Sequence, residues 1–127
     1  MPTILVVDDE ESIRELLRRI LEPEGYTVAL ASDSKGALAA MTEHSPHVVF
    51  LDMHMPGEDG WWLADQIQRQ FPTSATVLAT GDQDVSSSGN LRRGIIAYLV
   101  KPFQREDVLR AAQDGVNWAA ALRNLQH

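Results

Sequence analysis

Residues 48–60 of the 127-residue chain read VVFLDMHMPGEDG, and this stretch indicates the fold. Its four apolar residues, Val48 to Leu51, end at the carboxylate of Asp52, and a loop rich in proline and glycine follows. A short apolar run of this kind is typical of a central strand in a parallel sheet, which is covered on both faces. Ligands of such sheets bind beyond the carboxyl ends of the strands. Asp52 is therefore predicted at a binding edge, although aspartate is also common where an ordinary turn begins.

Along the rest of the chain, short apolar runs alternate with segments whose apolar residues recur at helical spacing. Strands are predicted at residues 3–7, 26–31, 48–51, 75–80 and 96–100, and helices at residues 11–21, 33–44, 61–71 and 105–125. Residues 82–94 read DQDVSSSGNLRRG; a helix is expected there by position, but the serines and glycines favour only a short or irregular one. The alternation predicts a single doubly wound α/β domain, with helices on both faces of a five-stranded parallel sheet.

Helical spacing also predicts which side chains face the core. The predicted buried residues are Ile13, Leu16, Leu17, Ile20 and Leu21 in the first helix, and Val108, Leu109, Ala112, Val116 and Leu122 in the last. Adjacent Trp61 and Trp62 cannot both point inward from one helix, so we expect one of them to be exposed as part of a patch that binds a partner.

Composition and charge argue against several classes of function. The chain has 18 acidic and 11 basic residues, a net charge of -7 that disfavours nucleic acid and anionic membranes as partners. It contains no cysteine, which excludes disulfides and thiolate zinc sites. Its longest apolar run, Ile95 to Val100, is too short to span a bilayer, and its first residues lack the basic region of a signal peptide. We therefore expect a soluble cytoplasmic domain.

Polar residues follow four of the predicted strands, and no comparable group precedes the strands. They are Asp8, Asp9, Asp52, Thr80 and Lys101. Each has an ordinary explanation alone, such as a helix cap or a surface lysine. Together, if the first and third strands are neighbours about 5 Å apart, three carboxylates crowd one pocket and must take up a proton or a cation. Oxygen ligands favour a hard cation such as Mg²⁺, and a carboxylate beside a metal, an ammonium and a hydroxyl can accept a phosphoryl group.

Four motifs resemble the receiver domain of two-component response regulators. They are ILVVDDE (4–10), VVFLDMHMPGEDG (48–60), VLATG (77–81) and YLVKPF (98–103), in the order and spacing of that family. The resemblance covers residues 3–118 and implies a flavodoxin-like strand order, 2-1-3-4-5. It makes residues 1–127 one receiver domain, with 119–127 as a helix extension or the start of a linker.

The resemblance also implies a phosphorylation site that uses magnesium. Asp52 matches the phosphoacceptor, and Asp8 and Asp9 match the acidic pair that holds Mg²⁺, Asp9 directly and Asp8 mainly through water. The backbone carbonyl of His54 matches a further metal ligand. The imidazole of His54 and the carboxylate of Asp82 depart from common patterns of the family, and the imidazole is expected at the surface.

Three further roles follow from the resemblance. Lys101 pairs with a phosphoryl oxygen, Thr80 hydrogen-bonds another, and Tyr98 matches an aromatic ring that turns inward when that hydroxyl moves. The Lys101–Pro102 peptide bond is expected to be cis. Residues 82–94 fall on the face that usually carries the output signal, so their composition puts a standard regulatory dimer there in doubt.

The implied function is a phosphoacceptor switch. Its donor would be a histidine kinase or a histidine phosphotransfer protein, and its output would pass to a domain in cis or to a partner protein. It would not be an enzyme beyond accepting and losing its own phosphoryl group. Two alternatives stay open: a scaffold-type receiver that does not depend on phosphorylation, and a phosphohydrolase with an aspartyl nucleophile. Hydrolases of the haloacid-dehalogenase type place that nucleophile after the first strand, with a second aspartate where this chain has His54.

Overall fold

The computed structural model describes residues 1–57, 59–81 and 94–125. Its parallel sheet has the order β2-β1-β3-β4-β5, which confirms the predicted fold. The strands are β1 (Thr3–Val7), β2 (Thr27–Ala31), β3 (Val48–Asp52), β4 (Ala75–Thr80) and β5 (Ile95–Val100). The described helices are α1 (Glu11–Leu21), α2 (Ser34–His44), α3 (Gly60–Gln70) and α4 (Arg105–Leu125), with a 3-10 turn at Glu22–Glu24. Apart from Gly94, the predicted irregular helix at 82–94 lies outside the described residues.

Side-chain caps explain where two helices begin. The Asp33 carboxylate accepts a hydrogen bond from the Gly36 N–H at 2.7 Å, so Asp33 caps α2, which begins at Ser34. The Asp59 carboxylate accepts from the backbone N–H groups of Trp61 and Trp62, at 3.0 and 3.2 Å. Helix α3 therefore runs over Gly60–Gln70 and not over 61–71.

Two apolar layers cover the sheet, one on each face. The layer below α2 and α3 includes Leu5, Val7, Val49, Leu51, Leu63, Ile67 and Leu78. The layer below α1 and α4 includes Ile4, Val6, Val48, Phe50, Val77, Leu99 and Val108. Successive strand residues point to opposite faces, which is why each central strand contributes to both layers.

Helix α4 packs more closely on the sheet than its large apolar residues suggested. Its buried residues are Val108, Ala111, Ala112, Gly115 and Ala119, whereas Leu109, Val116 and Leu122 are only half-buried. A Cβ atom on Gly115 would lie 2.7 Å from a methyl group of Val48, so small residues are needed along this line of contact. The predicted buried face of α4 was therefore wrong in part.

Solvent exposure corrects the prediction that Leu16 is buried, and it confirms the prediction for the two adjacent tryptophans. Leu16 in α1 is 41% exposed, whereas Leu17 and Leu21 are buried, so the buried face of α1 is narrower than predicted. Trp62 is 49% exposed while Trp61 packs against the core, as expected for adjacent tryptophans on one helix. No helix in the described ranges is both long and apolar enough to cross a membrane.

Candidate functional site

Asp8, Asp52 and Lys101 meet at the carboxyl edge of the sheet. The Lys101 Nζ lies 3.3 Å from Asp8 Oδ2 and 3.5 Å from Asp52 Oδ1. Strand alternation explains the meeting, because Asp8 follows the inward residue Val6 by two positions, and Asp52 follows Phe50 in the same way. Lys101 follows Leu99 of the same apolar layer by two positions, so the three side chains lie on one face of the sheet, after β1, β3 and β5.

A cluster of three carboxylates lies at this edge. Single oxygens of Asp8, Asp9 and Asp52 lie within 4.8 Å of one another. Asp8 and Asp52 are only 2% and 3% exposed, whereas Asp9 is exposed. Only one ammonium, that of Lys101, pairs with this cluster within the described residues, so two negative charges are left in excess. The oxygen donors and the charge excess fit a hard divalent cation.

Burial and neighbouring charges have opposing effects on the pKa values of Asp8 and Lys101. Burial, followed by the nearby Asp52 carboxylate, raises the pKa of Asp8, although the Glu10 N–H and Lys101 oppose that rise. Burial alone would lower the pKa of Lys101, but the Asp52 and Asp8 carboxylates outweigh burial and raise it. Lys101 therefore remains an ammonium at neutral pH.

The loop after β3 orients the Asp52 carboxylate. The His54 N–H donates to Asp52 Oδ1 at 3.1 Å, so Oδ1 makes both contacts of this carboxylate within the described residues. The His54 side chain is exposed, as expected, whereas Met53 and Met55 are buried beneath the loop. A Cβ atom on Gly60 would lie 2.9 Å from the Met53 Cα, so this glycine lets α3 begin directly against the loop.

Thr80 and Tyr98 lie on the face of the sheet that packs against α2 and α3. Thr80 is the last residue of β4, is fully buried, and its carbonyl accepts the Lys101 N–H at 2.8 Å. Tyr98 pairs with Leu78 in the sheet register and is half-buried against the same core layer. The register also places Thr80 next to Ala79, the β4 partner of Asp52.

Of two other predicted features, one lies within the described residues. The Lys101–Pro102 peptide bond is cis. Asp82 lies outside the described residues.

Arg14 was missed by the sequence reasoning. Its Nη1 donates to the main-chain carbonyl of Asp8 at 2.7 Å, six residues back along the chain. An arginine in the first half of an amphipathic helix is common, and a main-chain carbonyl leaves no mark in the sequence, so no signal identified this contact.

The opposite edge of the sheet also carries polar side chains, which corrects the expectation that no comparable group precedes the strands. We call this set, His47, Ser74 and Arg123, the amino-edge cluster. Arg123 Nη2 donates to the carbonyls of Ser45 and Pro46 at 3.1 and 2.9 Å, and its Nη1 lies 3.4 Å from His47 Nε2. The Ser74 hydroxyl donates to the Pro46 carbonyl at 2.7 Å. Burial, then Arg123 and the chain's amino terminus, lower the pKa of His47.

Comparisons with known proteins identify the family of the chain. The family model described as response regulator receiver domain matches residues 4–113. The nitrogen assimilation regulatory protein NtrX of Azorhizobium caulinodans is 37% identical over 106 residues, which are 81% of this chain and 23% of that protein. The chain thus spans about a quarter of the length of this curated relative.

Solved receiver domains share the fold. The receiver domain of NtrX from Brucella abortus superposes with a TM-score of 0.82 at 36% identity, over 90% of this chain and 98% of that chain. The signal receiver domain of an HD domain-containing protein from Pseudomonas fluorescens Pf-5 superposes with a TM-score of 0.87 at 31% identity, over 97% and 92%.

Proposed function

Because the chain belongs to the response regulator receiver domain family, we propose that it is a phosphoacceptor switch in a two-component phosphorelay. The observation that carries the proposal is the buried Asp52 carboxylate beside Asp8 and Lys101 at the carboxyl edge of the sheet. The donor is the phosphohistidine of a histidine kinase or a histidine phosphotransfer protein. The proposal includes a cytoplasmic location and an output domain in cis or on a partner.

The two oxygens of Asp52 have different roles in the proposed transfer. Among the described residues, the His54 N–H and Lys101 contact Oδ1 and not Oδ2, so Oδ2 is the attacking oxygen in this proposal. Oδ2 forms a bond to phosphorus while the P–N bond of the donor breaks, and the electron pair of that bond remains on the imidazole nitrogen. The product is an acyl phosphate on Asp52.

Charge on the transferred group is neutralised by residues already at the site. Lys101 lies within 3.5 Å of Asp52 and can pair with a phosphoryl oxygen, and the Thr80 hydroxyl bonds another. Asp8, Asp9, Asp52 and the His54 carbonyl would hold Mg²⁺, whose charge supplies further neutralisation of the phosphoryl oxygens.

Phosphorylation would then be read out through Thr80 and Tyr98. Both lie on one face of the sheet, so a movement of the Thr80 hydroxyl toward the phosphoryl group changes the space into which the Tyr98 ring can turn. The domain catalyses only the gain and hydrolytic loss of its own phosphoryl group. It is thus a switch rather than an enzyme with a separate substrate.

Trapping the acyl phosphate tests the proposal. After incubation with Mg²⁺ and acetyl phosphate, borohydride reduction and peptide mass mapping should find one modified residue, Asp52. Asp52→Asn should abolish the label, while Asp33→Asn, which changes only the carboxylate that caps α2, should retain it.

Three results would contradict the proposal in different ways. A label on Asp8 or Asp9, or an undiminished label in Asp52→Asn, would overturn the assignment of the acceptor. No label with any donor would favour the scaffold-type receiver. Multiple turnovers of p-nitrophenyl phosphate would favour the phosphohydrolase.

A further inference from the structure

All the polar groups of Asp8 are engaged. Its N–H donates to the Ala31 carbonyl at 3.1 Å, and its carboxylate accepts from the Glu10 N–H at 2.9 Å and from Lys101 at 3.3 Å. Its carbonyl accepts the 2.7 Å hydrogen bond from Arg14 Nη1. This last contact joins the loop between β1 and α1 to a helix that is fixed by the burial of Leu17.

The Asp8 carbonyl belongs to the peptide that leads into Asp9. Strand β1 has ended at Val7 and α1 has not begun, so neither sheet nor helix bonding orients this peptide. A charge-assisted hydrogen bond is stronger than a neutral one, and Arg14 is half-buried. Turning this peptide would turn the backbone that carries the Asp9 carboxylate.

The guanidinium of Arg14 has no carboxylate partner in the described part of the chain. It makes no ion pair within 4.0 Å among residues 1–57, 59–81 and 94–125. A positive charge beside a cation site repels the cation, and that repulsion alone would weaken metal binding. A favourable effect of Arg14 on metal binding therefore has to come through geometry.

We propose that Arg14 is a positioning residue of the metal site. By holding the Asp8 carbonyl it fixes the peptide that presents Asp9, and so keeps three carboxylates within reach of one divalent cation. This inference rests on the proposed function, since it concerns the cation that serves phosphoryl transfer.

Removal of the guanidinium distinguishes a geometric role from a charge effect, because the two predict opposite changes in the affinity for Mg²⁺. Arg14→Met keeps most of the aliphatic part of the side chain but has no donor. We expect its dissociation constant for Mg²⁺ to rise about tenfold, the lower end of the loss seen when an outer partner of a metal ligand is removed. If Arg14 acts only as a charge, Arg14→Met should bind Mg²⁺ more tightly than the wild type.

The measurement is calorimetric titration of the unphosphorylated chain with MgCl₂. Arg18→Met is the matched control: Arg18 lies one turn further along α1 and pairs with Glu15 and Glu22 instead of the Asp8 loop. It should bind Mg²⁺ like the wild type. If Arg14→Met does not fold, Arg14→Gln serves in its place, because its side chain is neutral, polar and too short to reach the carbonyl.

Labelling by acetyl phosphate provides a second measurement. The rate for Arg14→Met should fall at low Mg²⁺ and return to the wild-type rate at saturating Mg²⁺, a dependence that a loss of stability alone would not produce. Wild-type or tighter Mg²⁺ affinity in Arg14→Met would overturn this inference and leave the proposed function standing. Failure of the wild type to bind Mg²⁺ would refute both.

Discussion

The end of α4 offers a sharp test of where the folded domain stops. Arg123 is near the end of that helix, beyond residue 118, and donates to the carbonyls of Ser45 and Pro46 at 3.1 and 2.9 Å. If these contacts hold the last turns of α4 in place, residues 119–125 belong to the domain and are not a linker. Arg123→Met removes both hydrogen bonds while keeping most of the aliphatic side chain.

The expected loss of stability can be worked out from the two acceptors. A hydrogen bond from a charged donor contributes about 1.5–3 kcal/mol. The Ser45 carbonyl belongs to an exposed residue and can turn to water, and the Pro46 carbonyl keeps the Ser74 hydroxyl at 2.7 Å, so neither is left buried without a partner. Because one nitrogen, Nη2, donates both bonds, the lower end of the range for a single charged donor applies, and we expect a total loss of about 2 kcal/mol.

Urea unfolding measures this loss, since the midpoint should fall while the slope stays constant. Arg110→Met is the matched control, because Arg110 lies on the same helix and its 3.7 Å pair with Asp107 is exposed at both side chains. It should change the free energy of unfolding by less than about 0.5 kcal/mol. Hydrogen exchange should also speed up at residues 119–125 in Arg123→Met alone. Equal stability of the two variants would refute the reasoning and favour a linker that begins at 119.

Three further predictions concern the site and the amino-edge cluster. Asp52→Asn should stabilise the metal-free domain by roughly 1–2 kcal/mol, because the relief of repulsion from two nearby carboxylates exceeds the loss of attraction to one ammonium. Mg²⁺ should raise the melting temperature of the wild type but not of this variant. An equal effect of Mg²⁺ on both melting temperatures would place the metal elsewhere. Thr80→Ala should still be phosphorylated but should uncouple the Tyr98 ring, so a full shift of the ring's NMR signals on phosphorylation would exclude the coupling. Because the folded pKa of His47 is lowered, the unfolded chain binds its proton more readily, and His47 should reduce stability as pH falls through about 6.5 toward the folded pKa. NMR titration of the ring should show the lowered pKa, and Arg123→Met should raise it; an unchanged pKa in the variant would exclude the arginine as a cause.

The fold and the carboxylate edge could be predicted because each strand is a separate apolar run. The polar residue that follows each run then marks the carboxyl end of a strand, as it does at Asp8 and Asp52. Strand order could not be predicted in this way, because apolar runs do not indicate which strands are neighbours. The order 2-1-3-4-5 came from the resemblance to receiver domains.

Contacts to the main chain could not be predicted. Arg14 and Arg123 both donate to backbone carbonyls, which every residue carries, so no pair of residues in the sequence marks either contact. The same holds for the buried face of α4. Large apolar residues were expected there, but the close approach of Gly115 to Val48 favours small ones, and that distance depends on the tertiary structure.

The candidate site is divided among strands that are far apart in the chain, and this has a consequence for protein synthesis. Asp8 and Lys101 are 93 positions apart, and the pairing of β4 with β5 places Lys101 beside Thr80. A nascent chain that has not yet released β5 from the ribosome has the proposed acceptor, Asp52, but lacks the ammonium beside it. Such a chain is expected to be inert toward phosphoryl donors, so the cell would receive a signal only from molecules whose sheet is complete.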